Sequence, residues 1–165
     1  MSEIYLAGGC FWGVEKAMSV LDGVVSTQCG YANGDRNLVP DYLLVCSGRF
    51  GYAECVRVEY DPERVSIDKV LKAFFMVIDP TKKNRQGNDV GTQYRTGIYW
   101  TDDTTAERVR SYVSEYARGF SEFYTETMPL SNFTPAEDNH QKYLDRNPNG
   151  YCHIPYSTIQ EISRL

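Results

Sequence analysis

The chain has 165 residues, with 17 Lys and Arg against 22 Asp and Glu, for a net charge of −5, and 42% of it is hydrophobic. That length fits one domain able to bury a core; the apolar content excludes disorder, and the acidic balance speaks against a nucleic-acid partner. The N-terminus shows no basic start followed by an apolar run, and no stretch is long enough to span a membrane, so neither a secretory leader nor a membrane partner is expected. Five cysteines, at positions 10, 29, 46, 55 and 152, are odd in number and lack CxxC spacing. This argues against a disulfide framework or a zinc site and points to a reducing, cytoplasmic compartment.

In chain order, residues 3–7 read as a short strand broken by Gly8 and Gly9. Phe11 to Ser19 follows as a helix, with Val14, Ala17, Met18 and Leu21 at helical spacing. Residues 24–32 form a strand ended by Asn33-Gly34, and residues 53–60 alternate as a strand up to Asp61-Pro62. The clearest helix is capped by Ser66, with Ile67, Val70, Leu71, Phe74, Phe75 and Ile78 on one stripe. After a polar loop, Tyr94 to Trp100 is expected as a strand, and Thr104 with Glu107 as the capping box of the next helix. A weaker strand is expected over Phe123–Thr127. Thr134, Pro135 and Glu137 read as the start of a helix reaching Leu144, and the chain after 147–150 as mostly irregular. This β-α-β-β-α-β-α-β order predicts an α+β fold with a split βαβ core: a mixed or antiparallel sheet, helices packed on it, and an irregular C-terminal segment within one domain over 1–165.

Cys10 stands at the first strand-to-helix junction. A helix N-terminus offers free N–H groups and partial positive charge, which favours thiolate at neutral pH, the reactive form of cysteine. Gly8 and Gly9 permit a sharp turn that leaves the sulfur reachable. Phe11 and Trp12 cannot both enter the core, so at least one is expected to line an apolar cleft. Cys29, Cys46 and Cys55 lie in or beside strand-like runs and read as small buried hydrophobes.

In residues 53–60, Glu54 shares a face with Val56, Val58 and Tyr60. Buried there, it would hold its proton near neutrality and act as an acid; frayed at the strand's start, it would be solvated. Asp89 in the loop over residues 88–94 reads as an Asx-turn former or a solubiliser, and Tyr42 and Tyr94 as ordinary half-buried tyrosines. Cys152 sits in a Gly/Pro/Asn-rich segment, where it is either a mobile resolving thiol or an incidental one. His140 and His153 have no partner at metal-ligand spacing and read as structural or surface residues.

The motif over residues 9–15 (GCFWGVE), the stretch from Tyr42 to Glu54, residues 87–95 (GNDVGTQYR), and HQKYL (140–144) with NPNGYC (147–152) resemble, in order and over nearly the whole chain, the methionine sulfoxide reductase A family. The resemblance implies a cofactor-free thiol enzyme that reduces the S epimer of methionine sulfoxide, free or in proteins, and so repairs oxidative damage. It implies Cys10 as nucleophile and Phe11 and Trp12 as the methyl pocket. Glu54, Tyr42 and Tyr94 would bind the sulfoxide oxygen, with Glu54 as proton donor. Asp89 would help bind substrate or order the site. Cys152 would resolve the Cys10 sulfenic acid to a disulfide that thioredoxin reopens. Three departures stand out. Tyr52 occupies a position often held by His, which bears on the hydrogen bonding around Glu54. Cys29 and Cys55 replace other small residues. No cysteine follows Cys152, which implies a two-cysteine cycle.

Two rival readings remain. A cysteine hydrolase or acyl transferase would need His140 or His153 as base. An aromatic-rich binding module would have no reactive thiol.

Overall fold

A computed structural model describes all 165 residues. Its centre is an antiparallel ladder of four strands, β1 (Ser2–Ala7), β2 (Val24–Ala32), β3 (Ala53–Tyr60) and β6 (Gly97–Trp100), in the order β6-β1-β3-β2. Helix α1 (Phe11–Ser19) joins β1 to β2, and α3 (Ile67–Val77) joins β3 towards β6. β3 thus lies between the two strands that α1 connects, which is the split βαβ plan. β7 (Glu126–Pro129) adds to β6 in parallel, and β8 (Phe133–Pro135) adds antiparallel to β2, making six strands of mixed direction. A small hairpin, β4 (Arg85–Gln86) with β5 (Asp89–Val90), stands apart.

Strand alternation sorts the side chains. Ile4, Leu6, Val56 and Val58 join Val14, Met18, Leu71 and Phe74 of α1 and α3 in the main core, while Tyr5, Ala7, Ala53, Cys55 and Tyr99 form a smaller cluster on the other face. The Ser66 hydroxyl caps α3 by accepting from Lys69 N–H at 3.1 Å, and Ile78 ends it in extended conformation, two residues ahead of Pro80. Helix α4 (Asp103–Ala117) packs against α3 through Val109 and Val113.

Several boundaries differ from the sequence expectation. Tyr94 lies in a 3-10 turn, Thr92–Tyr94, ahead of β6 rather than within the strand. Asp102, not Thr104, caps α4: its carboxylate takes Thr105 N–H at 2.8 Å and the Thr105 hydroxyl at 3.0 Å. The weaker strand forms three residues later, at β7. Thr134 and Pro135 do not open a helix; they cover the edge of β2, where a proline needs no N–H. A 3-10 turn (Asp138–His140) and a short helix α5 (Tyr143–Arg146) follow. Residues 147–155 are irregular, and the chain closes with α6 (Tyr156–Ser163), which buries Ile159 and Ile162. A further short helix, α2 (Tyr42–Cys46), is capped by the Asp41 carboxylate.

Candidate active site

The β1–α1 junction is fixed from three sides. Gly8 packs so closely on Ile78, the residue that ends α3, that a side chain there would overlap it, while Phe74 of α3 lies at contact distance. Gly9 turns the chain at φ +72°, a conformation that favours glycine, and its N–H donates to the Tyr94 carbonyl at 3.2 Å. Cys10 is then the residue before α1, extended and half-buried, with a free thiol.

Glu54 settles on the buried side of its two readings. Its side chain lies on the helix-facing side of β3, 1% exposed. Oε1 accepts the Phe11 N–H at 3.1 Å, occupying a free donor of the first turn of α1, while the buried Oε2 has no partner. Burial pushes its pKa up to about 8; the Phe11 N–H opposes the rise and the Asp89 charge adds to it. Glu54 is therefore a neutral acid at neutral pH, one residue from the thiol.

The same surroundings revise the expectation for Cys10. Burial first, with the Asp89 charge adding to it, pushes its thiol up, and the Trp12 N–H only partly offsets this; Glu54 adds to the rise only above about pH 8, once it has ionised. The helix terminus is present, but desolvation outweighs it, so the resting group is a thiol.

Tyr42 opens α2, its N–H donating to Glu137 Oε2 at 3.0 Å. Burial raises the phenols of Tyr42 and Tyr94, with Cys46 adding to the rise at Tyr42, so each stays a proton donor. The two aromatics after Cys10 part company. Phe11 is 1% exposed, packed on Tyr31 and His140. Trp12 stays half-buried as a wall, stacked on Tyr143 at 3.7 Å, with its indole N–H donated to His140 Nδ1 at 3.2 Å. That bond commits the nitrogen of His140 that a hydrolase base would use. Asp89 accepts from the Tyr151 hydroxyl at 3.1 Å and so ties the hairpin to the C-terminal segment.

Cys152 is half-buried, its thiol turned to the Ile154 carbonyl at 3.4 Å. It lies over α1: a Cβ on Gly13 would sit 3.3 Å from its Sγ. A cavity of about 310 Å³ opens beside it, lined by Lys16, Leu144, Pro148, Ile154 and Ile159. The other cysteines separate. Cys29 is buried and donates to Glu15, Cys55 is buried on the opposite face of the sheet, and Cys46 is exposed beside Tyr42 rather than buried as expected. Tyr52 makes no hydrogen bond to Glu54; its hydroxyl donates to the carbonyls of Asp35 and Leu38 and pins that loop.

Sequence reasoning missed the residues that hold this arrangement. Glu15 is buried and accepts from Lys142 N–H at 2.6 Å and the Thr27 hydroxyl at 3.0 Å. Gln141 bonds both the N–H and the carbonyl of Cys29 at 2.8 Å. Glu137 takes the Tyr31 hydroxyl at 2.7 Å. Polar residues between two apolar runs were the only available signal, and it does not distinguish a clasp from a loop.

Comparison with known proteins gives the family and the fold. Residues 2–164 match the family described as peptide methionine sulfoxide reductase. The chain is 48% identical over 162 residues to peptide methionine sulfoxide reductase MsrA of Clostridium acetobutylicum, covering 98% of this chain and 99% of that one. Among solved structures it is similar to reduced Mxr1 of Saccharomyces cerevisiae, with a TM-score of 0.86 and 37% identity over 91% of this chain and 87% of that one. It is also similar to methionine sulfoxide reductase A of Corynebacterium diphtheriae, with a TM-score of 0.83 and 40% identity over 93% and 82%. The yeast protein has also been solved in complex with Trx2.

Proposed function

The chain belongs to the peptide methionine sulfoxide reductase family and reduces methionine sulfoxide, and we propose that Cys10, Glu54 and Cys152 carry the chemistry in a single catalytic domain over residues 1–165. The observation that carries this reading is the buried, unpartnered Oε2 of Glu54, whose Oε1 accepts the N–H of the residue after Cys10; its raised pKa fits a proton donor.

The sulfoxide oxygen is a poor leaving group until it is protonated. Glu54 gives it a proton, and the phenols of Tyr42 and Tyr94 hydrogen-bond it as charge shifts. Cys10 attacks the sulfur, whose growing positive charge offsets the desolvation that otherwise keeps the thiol protonated. The oxygen ends on Cys10 as a sulfenic acid, methionine leaves, and the thiol proton returns to Glu54. Trp12, with Phe11 buttressing it from the core, forms the apolar wall for the methyl group, and Asp89 orders the cleft through Tyr151. With the methyl held there, only the S epimer turns its oxygen to the donors. Cys152 then displaces the oxygen as water and forms a disulfide with Cys10.

A dithiol reductant reopens that bond. Thioredoxin fits this role, in line with the yeast relative solved with Trx2. The odd set of five cysteines favours a reducing cytoplasm as the compartment; no helix is long and apolar enough to cross a membrane.

A single-turnover assay with each epimer, counting thiols before and after, tests the scheme. Methionine from the S epimer alone, with two thiols lost, is the expected result. Methionine from neither epimer would overturn it.

A further inference from the structure

His153 is a half-buried side chain of the C-terminal segment that the reaction above leaves unused. Both ring nitrogens are buried without a hydrogen-bond partner, an unusual state for an imidazole in a folded protein. The ring lies across the start of α1. A Cβ on Gly9 would be 3.0 Å from its Cε1 and Nε2, and a Cβ on Gly13 3.3 Å from Cε1. That same Gly13 point is 3.3 Å from Cys152 Sγ. The imidazole therefore spans the residue before Cys10 and the turn after it, next to the resolving sulfur.

We propose that His153 carries the proton of the resolution step, taking it from the Cys152 thiol and delivering it to the oxygen that leaves Cys10. The proposal rests on the roles given above to Cys10 and Cys152. The Cys152 S–H bond breaks, and its proton goes to the free ring nitrogen. The thiolate pair then forms the S–S bond to Cys10 as the S–O bond breaks. The departing hydroxide takes a proton from the imidazolium and leaves as water, so His153 ends neutral and no proton is gained or lost. A neutral imidazole offers one lone pair and one N–H, and here neither is engaged elsewhere.

The surroundings suit a transient charge. Burial holds the ring in its neutral form, while the Asp89 carboxylate favours the protonated one. The other ionisable groups nearby are Cys10 ahead of α1, Glu54 beyond it, and Tyr151 and Cys152 on the ring's own segment. Arg85 of the hairpin is exposed and turned to the Gly87 carbonyl. The Cys152 thiol is itself raised by burial, so unaided it supplies little thiolate at neutral pH.

Single-turnover reactions of the wild type, His153→Phe and His153→Gln with methionine sulfoxide test this, with methionine release and thiol loss followed separately and sulfenic acid trapped by a cyclic 1,3-dione. In the variants, methionine should appear at close to the wild-type rate. Disulfide formation should slow about 100-fold, sulfenic acid should be trapped, and added imidazole should restore part of the rate. Closure at the wild-type rate, or parallel loss of both steps, would overturn the proposal. Should the variants not fold, the wild type decides through pH. A rate of disulfide formation flat between about pH 7 and 9 supports base assistance, whereas one rising tenfold per unit shows unaided thiolate attack and overturns it. Absence of methionine from the wild type would overturn the assigned reaction itself, a separate outcome from a change in closure.

Discussion

At the scale of single residues, the site is shaped by burial. Glu54 is buried and Cys10 half-buried at one junction where both hold their protons, so the resting pair is neutral and, in the proposed mechanism, the acid already carries the proton that the sulfoxide needs. The consequence is visible in pH. Methionine formation in a single turnover should fall as pH rises past about 8, where Glu54 ionises, and Glu54→Gln should be slower at neutral pH by about 100-fold and lose that fall.

Stability must follow the same titration. The folded state holds the Glu54 proton up to about pH 8, against an ordinary 4.5. The group's contribution is therefore full below pH 4.5 and is lost as pH rises to 8, at about 1.4 kcal/mol per pH unit. Glu54→Gln should remove that slope, and chemical denaturation across pH 5 to 8 would show it; identical slopes in the two proteins would mean that Glu54 ionises at its ordinary value. Cys152→Ser should still release one methionine per enzyme but not be recycled by thioredoxin. Full turnover in that variant would deny Cys152 its role.

At the scale of elements, α1 is both the wall of the core and the platform of the site. Its inner face reads plainly from Val14, Ala17 and Met18, and the position of Glu54 follows from the period-2 alternation of β3, so these parts were legible in sequence. The parts that were not are held by long-range partners. Thr134 and Pro135 look like a helix start, yet the uncovered edge of β2 recruits them as β8. The two apolar positions of α6, Ile159 and Ile162, are too few for a periodic signal and become a helix only against α1 and α3. The charge state of Cys10 turned on burial, which no local motif near residue 10 reveals.

Gly13 shows how tightly this platform is fitted, since a Cβ there would meet Ile154 Cδ1 at 3.0 Å and Cys152 Sγ and His153 Cε1 at 3.3 Å. Gly13→Ala should add about 1 kcal/mol of helix propensity while pushing the C-terminal segment away. The expected result is an unchanged or higher melting temperature, wild-type methionine release, and disulfide formation slowed about tenfold, read by stopped-flow thiol titration. Closure at the wild-type rate would show that the segment does not use the pose described above.

At the scale of the whole molecule, the main core runs without a break from β1 through α3 to α6, so the last helix belongs to the cooperative unit. Removing residues 155–165 exposes the surface that Ile159 and Ile162 cover, and should lower stability by about 4 kcal/mol at roughly 2 kcal/mol for each side chain. The full chain should unfold in one transition. Two separated transitions in urea would divide the domain.

The two thiols stand near opposite ends of the chain, at positions 10 and 152. In the proposed cycle each turnover therefore turns a linear polymer into a ring of about 140 residues and cuts it open again. A cross-link over so long a loop removes conformational freedom from the unfolded chain, by about 5 kcal/mol in the simple entropic account. The oxidised enzyme waiting for its reductant should thus be harder to unfold and to digest than the reduced enzyme waiting for substrate. A shortage of reducing equivalents would lengthen the life of the molecule it idles.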